Sequence, residues 1–504
     1  MGESEMSWIQ KLYETYNNCE SMVGYSTDES KRPFLPVCHM TAQAHIKVII
    51  DQDGNLRKAD VITDKNDAVT IIPCTEGSGG RAGKKPECHP LCDKLQYVAG
   101  DFEKYGGKVT SGFLNDPEEP HRNYIRLLTD WCESKFAHPK AQAVLKYVKK
   151  KNLIDDLIRH EILVVGKDNK FLSKRESKEQ KKASDIFSVL GPQEEQKDSF
   201  VRWEVEVPGE LESKTWKDKT LWESWKRFYF STKEKEPLCY VKGGNDFLSL
   251  QHPKYIRIKG DGAKLISSND TSGFTFRGRF LAAEQACGVS FEVSQKAHNA
   301  LIWLISRQGK VFFVKGDGGR KEPGLTIVAW ATSGKIIPKV TDDSLSISGF
   351  DDLPEDEPFI VSTAQDVAIR FKNRMLGYAS ELGNTDNVII MGLASASKGR
   401  LAITYYRENL TASDFLQRIE NWHNTCEWIH EYRYKDVRDK ETEKNKKYFQ
   451  PFIGAPAPIN IAEAAYGSNV DDKLKNATVE RLLPCILVGQ QMPRDIVTSQ
   501  KIRV

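Results

Sequence analysis

The sequence predicts a multidomain α+β protein, with an N-terminal antiparallel sheet and helices, a mixed central region and a helical C-terminal part. Three observations carry this reading. At 504 residues the chain is too long for a single hydrophobic core. Three strand-like runs, 44–50, 56–63 and 68–74, follow one another near the N-terminus, and Asp53-Gly54 between the first two is a strong hairpin signal. Over much of the remainder, apolar residues recur at helical spacing. Boundaries fall at an N-terminal α+β region 1–250, a central β-rich region with a bracing helix 251–345, and a mixed then helical region 346–504.

Taken in order, Trp8, Leu12 and Tyr16 fall at i, i+4 and i+8 and mark an amphipathic opening helix. A polar turn with Lys31-Arg32-Pro33 leads into the strands. Residues 121–152 read as two helices broken at His138-Pro139. The densely charged stretch 167–182 is a solvated helix or loop. Trp203, Trp216, Trp222, Trp225, Phe228, Tyr229 and Phe230 are interleaved with Lys214, Lys217, Lys219, Lys226 and Arg227, a mixture that can stack bases and hold phosphates. Leu221, Trp222, Trp225, Phe228 and Tyr229 follow a helical stripe, however, so core packing is the favoured role.

The chain is organised around residues 251–309. Ile256, Arg257, Ile258 and Lys259 alternate, with Lys254 just before, as in a strand with one buried and one basic face. The polar run 267–273 is a loop, and Arg277 and Arg279 follow it. Ser294 is a candidate N-cap for a helix carrying Ala297, Leu301, Leu304 and Ile305, with Gly309 as its stop. Beyond it come strands at 311–314 and 326–330, an acidic boundary loop at 342–357 and a helix at 364–382. Two strands, 387–393 and 400–407, flank a hairpin end at 394–399. A helix at 413–432, a basic link at 435–447 and short helices over 456–487 complete the pattern.

Charged residues are 28% of the chain and its net charge is +3, so any polyanionic partner must be held by local patches. No apolar run approaches the ~20 residues that span a bilayer. The N-terminus lacks the pattern of a secretion signal, and ten scattered cysteines suit reduced thiols in a cytoplasm. There is no Gly-x-Ser-x-Gly elbow, His-Glu-x-x-His pair or complete Walker motif.

Glu76-Gly-Ser-Gly-Gly-Arg-Ala-Gly-Lys-Lys-Pro86 imitates a phosphate loop. Ser78 stands where the first glycine belongs, and Lys85 where a magnesium-binding Ser or Thr belongs. It reads as a mobile basic loop whose glycines let a polyphosphate backbone approach closely, the alternative being a solvated connector. Cys74, Cys88, His89 and Cys92 lack a second tight ligand pair for zinc, so buried thiols are the default. Asp351-Asp352 and Asp471-Asp472 are carboxylate pairs of the kind two-metal nucleases use. The first lies in an acidic loop, and the second starts a helix where acids favour the dipole.

Six stretches resemble a known family. They are His89-Pro-Leu-Cys-Asp-Lys-Leu-Gln-Tyr-Val98, Ala263-Lys-Leu-Ile-Ser-Ser-Asn-Asp-Thr-Ser-Gly-Phe-Thr-Phe-Arg-Gly-Arg279, Val293-Ser-Gln-Lys-Ala-His-Asn-Ala-Leu-Ile-Trp-Leu304, Met391-Gly-Leu-Ala-Ser-Ala-Ser-Lys-Gly-Arg400, Ile461-Ala-Glu-Ala-Ala-Tyr-Gly467 and Asp472-Lys-Leu-Lys-Asn-Ala-Thr-Val-Glu-Arg-Leu-Leu-Pro-Cys485. Together, in order and across essentially the whole chain, they resemble the large subunit of the type I-C CRISPR Cascade surveillance complex. That resemblance implies a subunit that binds target DNA without cutting it. Its implied tasks are to read the protospacer-adjacent motif, promote duplex opening and R-loop formation, hold the displaced strand and help recruit the helicase-nuclease. The implied partners are CRISPR guide RNA within the complex, target double-stranded DNA, Cascade backbone subunits, a small subunit and the helicase-nuclease. No cofactor, metal or membrane is expected. Family members usually continue past Pro493-Arg-Asp-Ile into a helical region like the small subunit. Here the sequence ends at Val504, so that region is expected either to be absent or to be a separate polypeptide.

On this resemblance, Arg81, Lys84, Lys85 and His89 are candidates to approach the motif duplex, with Lys31 and Arg32 near neighbouring phosphates. Lys254, Arg257, Lys259, Lys264, Arg277 and Arg279 are candidates to line a track for the displaced strand. The alternatives are a metal-dependent nuclease using Asp471 and Asp472, and a purely structural assembly scaffold.

Overall fold

The structure is a computed structural model that describes residues 7–25, 32–81, 83–180, 184–234, 237–267, 287–350, 363–383, 386–438 and 445–503. The fold is α+β, and the chain forms two compact units. One, here the N-terminal unit, is drawn from Ser21–Pro253 and Ser268–Asn299. The other, the C-terminal unit, is drawn from Met1–Glu20, Lys254–Ser267 and Ala300–Val504. Among the described residues no helix is long and apolar enough to cross a membrane.

The N-terminal unit holds strands β1 (His39–Gln43), β2 (Ile46–Asp51), β3 (Leu56–Val61), β4 (Val69–Pro73), β5 (Asp93–Lys94), β6 (Phe200–Glu206), β7 (Leu238–Cys239) and β8 (Gly244–Asn245). The expected hairpin joins β2 to β3. The Asp51 carboxylate accepts from the backbone N–H groups of Asp53 (2.9 Å) and Asn55 (2.8 Å), and Gly54 takes φ +73°. The sheet around it is not purely antiparallel, because β2 pairs in parallel with β6 in the order β3-β2-β6-β5. The third expected strand, β4, pairs instead with β1. Alternate residues Ile46, Val48 and Ile50 are buried, as period-two patterning requires.

The helices Glu119–Cys132, Pro139–Val148 and Lys219–Ser231 pack in this unit. His138 caps the second, its Nδ1 accepting from the Lys140 N–H at 3.2 Å, beside the expected break. The aromatic cluster is core. Trp131, Trp203 and Trp225 are fully buried, and Trp225 meets Trp131 edge-on at 5.2 Å and stacks on Tyr229 at 5.7 Å.

The helix Phe291–Gln308 ends just before Gly309, as expected. Ser294 is not its cap. It lies inside the helix, fully buried, with its hydroxyl 2.8 Å from Nδ1 of His252.

The C-terminal unit is built on an antiparallel sheet ordered β12-β11-β10-β9. Its strands are β9 (Lys310–Lys315), β10 (Lys321–Ala331), β11 (Asn387–Ser397) and β12 (Arg400–Thr411). The opening helix Trp8–Asn18 belongs here, where Thr15 Oγ accepts from Trp330 Nε1 at 3.0 Å. The core gathers Val388, Ile390, Phe415, Ile419, Leu482 and Ile486 from the sheet and the helices Ala412–Thr425 and Asp472–Val488.

Three expectations fail in this unit. Residues 254–259 are irregular rather than a strand with one buried and one basic face, and Ile256 and Arg257 are buried in succession. The helix expected to reach 432 stops at Thr425, and the described ends of the expected basic link, 435–438 and 445–447, belong to a two-stranded ribbon, β13 (Trp428–Arg438) with β14 (Asn445–Gly454). Trp428, Ile429, Tyr432 and Tyr434 give that segment the aromatic and β-branched composition of strands.

Candidate nucleic-acid interface

In the N-terminal unit the glycine-rich segment is anchored at both ends. Thr75 and Ser78 form a reciprocal capping box, each side-chain oxygen 2.9 Å from the other's backbone nitrogen, and start a short helix, Glu76–Gly80. The Glu76 carboxylate accepts from Ser249 Oγ (2.9 Å) and from the backbone N–H groups of Leu250 and Gln251 (both 2.7 Å). This helix precedes the lysines, whereas a phosphate loop places its helix after them.

Arg81 then turns into the left-handed region, at φ 38°, ψ 50°. Its guanidinium donates to Asp93 and lies 4.9 Å over the Tyr97 ring. Asp93 is 0% exposed and also accepts from the His89 N–H at 2.7 Å. Burial pushes its carboxyl up, and Arg81 opposes that.

His89 is 3% exposed, with Nδ1 3.1 Å from Ser78 Oγ. Burial, with the Arg81 charge added, drives its imidazole well below the usual range. His89 is therefore a neutral core residue that holds the segment, and Arg81 is its main anchor.

Lys84 and Lys85 behave differently. Both are exposed. Lys85 Nζ lies 2.5 Å from Glu119 and 5.7 Å from the Phe113 ring centre. Gly112 backs the segment so closely that a Cβ there would stand 2.1 Å from the Lys84 carbonyl oxygen. Arg32 is half-buried in the same unit, and Lys31 lies outside the described residues.

In the C-terminal unit, Arg257 is an anchor as well. It is 5% exposed. Its guanidinium pairs with Asp261 (2.7 Å) and donates to the carbonyls of Pro323 (2.9 Å) and Gly324 (3.2 Å) and to Ser395 Oγ (2.9 Å). Pro323 and Gly324 lie where the β9–β10 register shifts, so the arginine satisfies carbonyls that the ladder releases. Lys259 is exposed, and Lys254 lies 4.8 Å over the Tyr255 ring. Lys264 is clipped to the β11–β12 turn by its N–H to Gly399 O (3.1 Å) and its carbonyl to Leu401 N (2.9 Å). Arg277 and Arg279 lie outside the described residues.

The register Leu325↔Ala394 puts the β9–β10 turn and the β11–β12 turn at one end of the sheet. The exposed cations Lys315, Arg320, Lys321, Lys398 and Arg400 stand at these two turns, with Glu322 as an acid among them. Phe313, 40% exposed, lies two residues before Lys315 on the edge strand. Sequence reasoning placed Arg400 at the start of a strand and the others at or beside turns, and did not group their charge. The available signal was a cation on each side of glycine in both hairpins, at Lys315-Gly-Asp-Gly-Gly-Arg-Lys321 and Lys398-Gly-Arg400. The structure thus brings Lys264 to Arg400, and it sets Arg257 beneath the turns as their support.

The remaining candidates have structural places. Asp471 caps the helix Asp472–Val488, accepting from Lys473 N at 3.4 Å. Asp351 and Asp352 lie outside the described residues. Cys74, Cys88 and Cys92 are buried, and desolvation pushes each thiol up to about 12. Among the described residues no group of three or more His, Cys, Asp or Glu side chains is placed to hold a metal ion.

Comparison with known proteins defines the class first: this is a CRISPR-associated protein. The family model described as CRISPR-associated protein (Cas_Csd1) matches residues 12–504, and the chain belongs to that family. No curated protein matches the chain.

Proposed function

We propose that this protein is the DNA-binding large subunit of a type I-C CRISPR surveillance complex. In this reading it recognises the motif beside the target, promotes duplex opening and R-loop formation, and holds the displaced strand. It also helps recruit the helicase-nuclease, and it cuts nothing itself. Guide RNA, the backbone subunits, a small subunit and target duplex are its partners, and the cytoplasm is its place. Sequence discrimination rests on guide pairing, while the protein reads a short duplex motif and backbone shape.

The observation that carries the reading is the display of Lys84 and Lys85 on a segment whose neighbours, Arg81 and His89, are locked inward. Exposed lysines between two anchored residues meet phosphates at a small ordering cost, Lys85 exchanging its Glu119 partner for a phosphate. The motif duplex lies on Lys84 and Lys85, with Arg32 and Lys31 toward flanking phosphates. The displaced strand follows Lys254, Lys259 and Lys264 onto the cations of the two hairpin turns, with Phe313 as a stacking surface. Arg257 is a positioning residue for that second surface.

The test is duplex binding by the guide-loaded complex with Lys84→Ala and Lys85→Ala together. Affinity for motif-bearing duplex falls, and the log-log salt slope flattens by about two, close to one for each phosphate no longer neutralised. Unchanged binding removes the assignment and favours a scaffold. Equal binding to targets with and without the motif removes motif reading.

A further inference from the structure

The N-terminal unit brings a half-buried cysteine, Cys287, onto a histidine. Two stretches, 247–252 and 287–291, are stitched together by their backbones. Ser249 N donates to Val289 O (3.0 Å), Phe291 N donates to Phe247 O (3.0 Å), and Leu248 pairs with Ser290 in an isolated β-bridge. Gln251 N is held in turn by the Glu76 carboxylate at 2.7 Å. The next residue, His252, is 3% exposed, and its Nε2 lies 3.9 Å from Sγ of Cys287, within hydrogen-bond reach for sulfur. Its other nitrogen, Nδ1, lies 2.8 Å from Oγ of the fully buried Ser294.

These three side chains stand in the order nucleophile, base and orienting group. A hydroxyl accepts as well as donates, so Ser294 can take the Nδ1 proton and leave an Nε2 lone pair toward the sulfur. His298, with its ring centre 6.1 Å from that of His252, is committed elsewhere, its Nδ1 donating to the Ser294 carbonyl at 2.7 Å. The charged groups on the neighbouring elements pair with one another. Glu292 on the helix meets Lys242 and Lys296, and Lys242 also meets Asp246 at 3.0 Å. Cys426, the other cysteine that is not fully buried, offers a contrast. The group at its sulfur is the Thr425 hydroxyl, at 4.0 Å, and burial pushes its thiol up.

We infer that Cys287 is a reactive thiol and a modification site for peroxides, with His252 as its base and Ser294 as a positioning residue. Nε2 takes the thiol proton, and the thiolate sulfur attacks one peroxide oxygen. The S–O bond forms as the O–O bond breaks, and the imidazolium gives its proton to the leaving hydroxide, which departs as water. The cysteine becomes a sulfenic acid, its two electrons reduce the peroxide, and His252 ends neutral. A peroxide suits this pair because hydroxide leaves poorly without a proton, and His252 holds that proton beside the sulfur.

The experiment treats the full chain with hydrogen peroxide in the presence of dimedone, which traps sulfenic acids, and follows Cys287 and Cys426 by peptide mass spectrometry. Cys287 is expected to be trapped about tenfold faster than Cys426 at about pH 7. Iodoacetamide then separates activation from access. His252→Gln slows alkylation of Cys287 about tenfold at about pH 7, and the gap closes by about pH 9.5, where an ordinary accessible thiol is ionised. Ser294→Ala, which suits a helix, slows it about threefold with the same closure. Equal trapping at the two cysteines overturns the inference. So does a His252→Gln gap that persists at high pH, because the histidine then sets only access to the sulfur. If His252→Gln does not keep the wild-type melting temperature, Ser294→Ala decides. A wild-type rate in that variant, or a gap that survives at high pH, overturns the inference.

Discussion

The two basic segments share a plan and differ in reach. In each, an arginine turns inward onto an aspartate while nearby lysines face water: Arg81 on Asp93 beside Lys84 and Lys85, and Arg257 on Asp261 beside Lys259. The planar five-donor fork of arginine suits anchoring, and the hydrated point charge of lysine suits display. Arg81 closes a local knot, with its aspartate and its aromatic partner both within sixteen residues along the chain. Arg257 instead ties together backbone and side-chain oxygens lying 66 to 138 residues away and holds two hairpins at once. Losing the first anchor therefore loosens one segment, whereas losing the second loosens the end of a sheet.

The strongest test of that difference is Arg257→Ala. It strands Asp261 and three oxygen acceptors, and a loss of about 3–5 kcal/mol is expected in urea unfolding. Arg257→Lys keeps the ion pair and loses the fork, so it falls between wild type and alanine. If alanine costs less than about 1 kcal/mol, the segment is not an anchor.

Acid is expected to strike the N-terminal unit next. Burial holds His39 at about 4 and His89 well below the usual range, so both are neutral when folded and take up protons near pH 6.5 when unfolded. The stability they contribute is present above about pH 6.5 and is lost as pH falls toward 4, at about 2.7 kcal/mol per unit for the two. Asp93, whose carboxyl burial raises, works in the opposite direction and softens the slope. Denaturant midpoints at pH 7 and pH 5 measure the net, and His89→Gln reduces the slope by about one proton, 1.4 kcal/mol per unit.

Smaller effects sharpen the account of the displayed lysines. Gly112→Ala drives a methyl group into the Lys84 carbonyl and is expected to cost about 1–3 kcal/mol while weakening duplex binding by moving the lysines. The Lys84→Ala, Lys85→Ala pair is expected to change stability by less than about 0.5 kcal/mol, so its binding defect reads charge alone.

Much of the fold was legible because it is encoded locally. The Asp53-Gly54 hairpin, the β11–β12 hairpin around Lys398-Gly399 and the stripe of Trp222, Trp225 and Tyr229 each follow from spacing within a dozen residues. The site was legible only in part. Lys84, Lys85 and Lys259 are exposed as a basic reading requires, but Arg257 and His89 are buried by partners that sequence distance conceals. Glu76 makes the same point. It stands in a stretch that reads as mobile, yet its carboxylate is bound by backbone about 175 residues away. The hairpin-turn cations were missed because their grouping depends on strand register, which no local pattern reports.

The thiols offer a practical handle. Of the ten cysteines, only Cys287 and Cys426 are not fully buried. A maleimide dye added to the native protein should therefore react at those two positions first. Labelling at the other eight would then time the opening of the core, residue by residue, without any engineered probe.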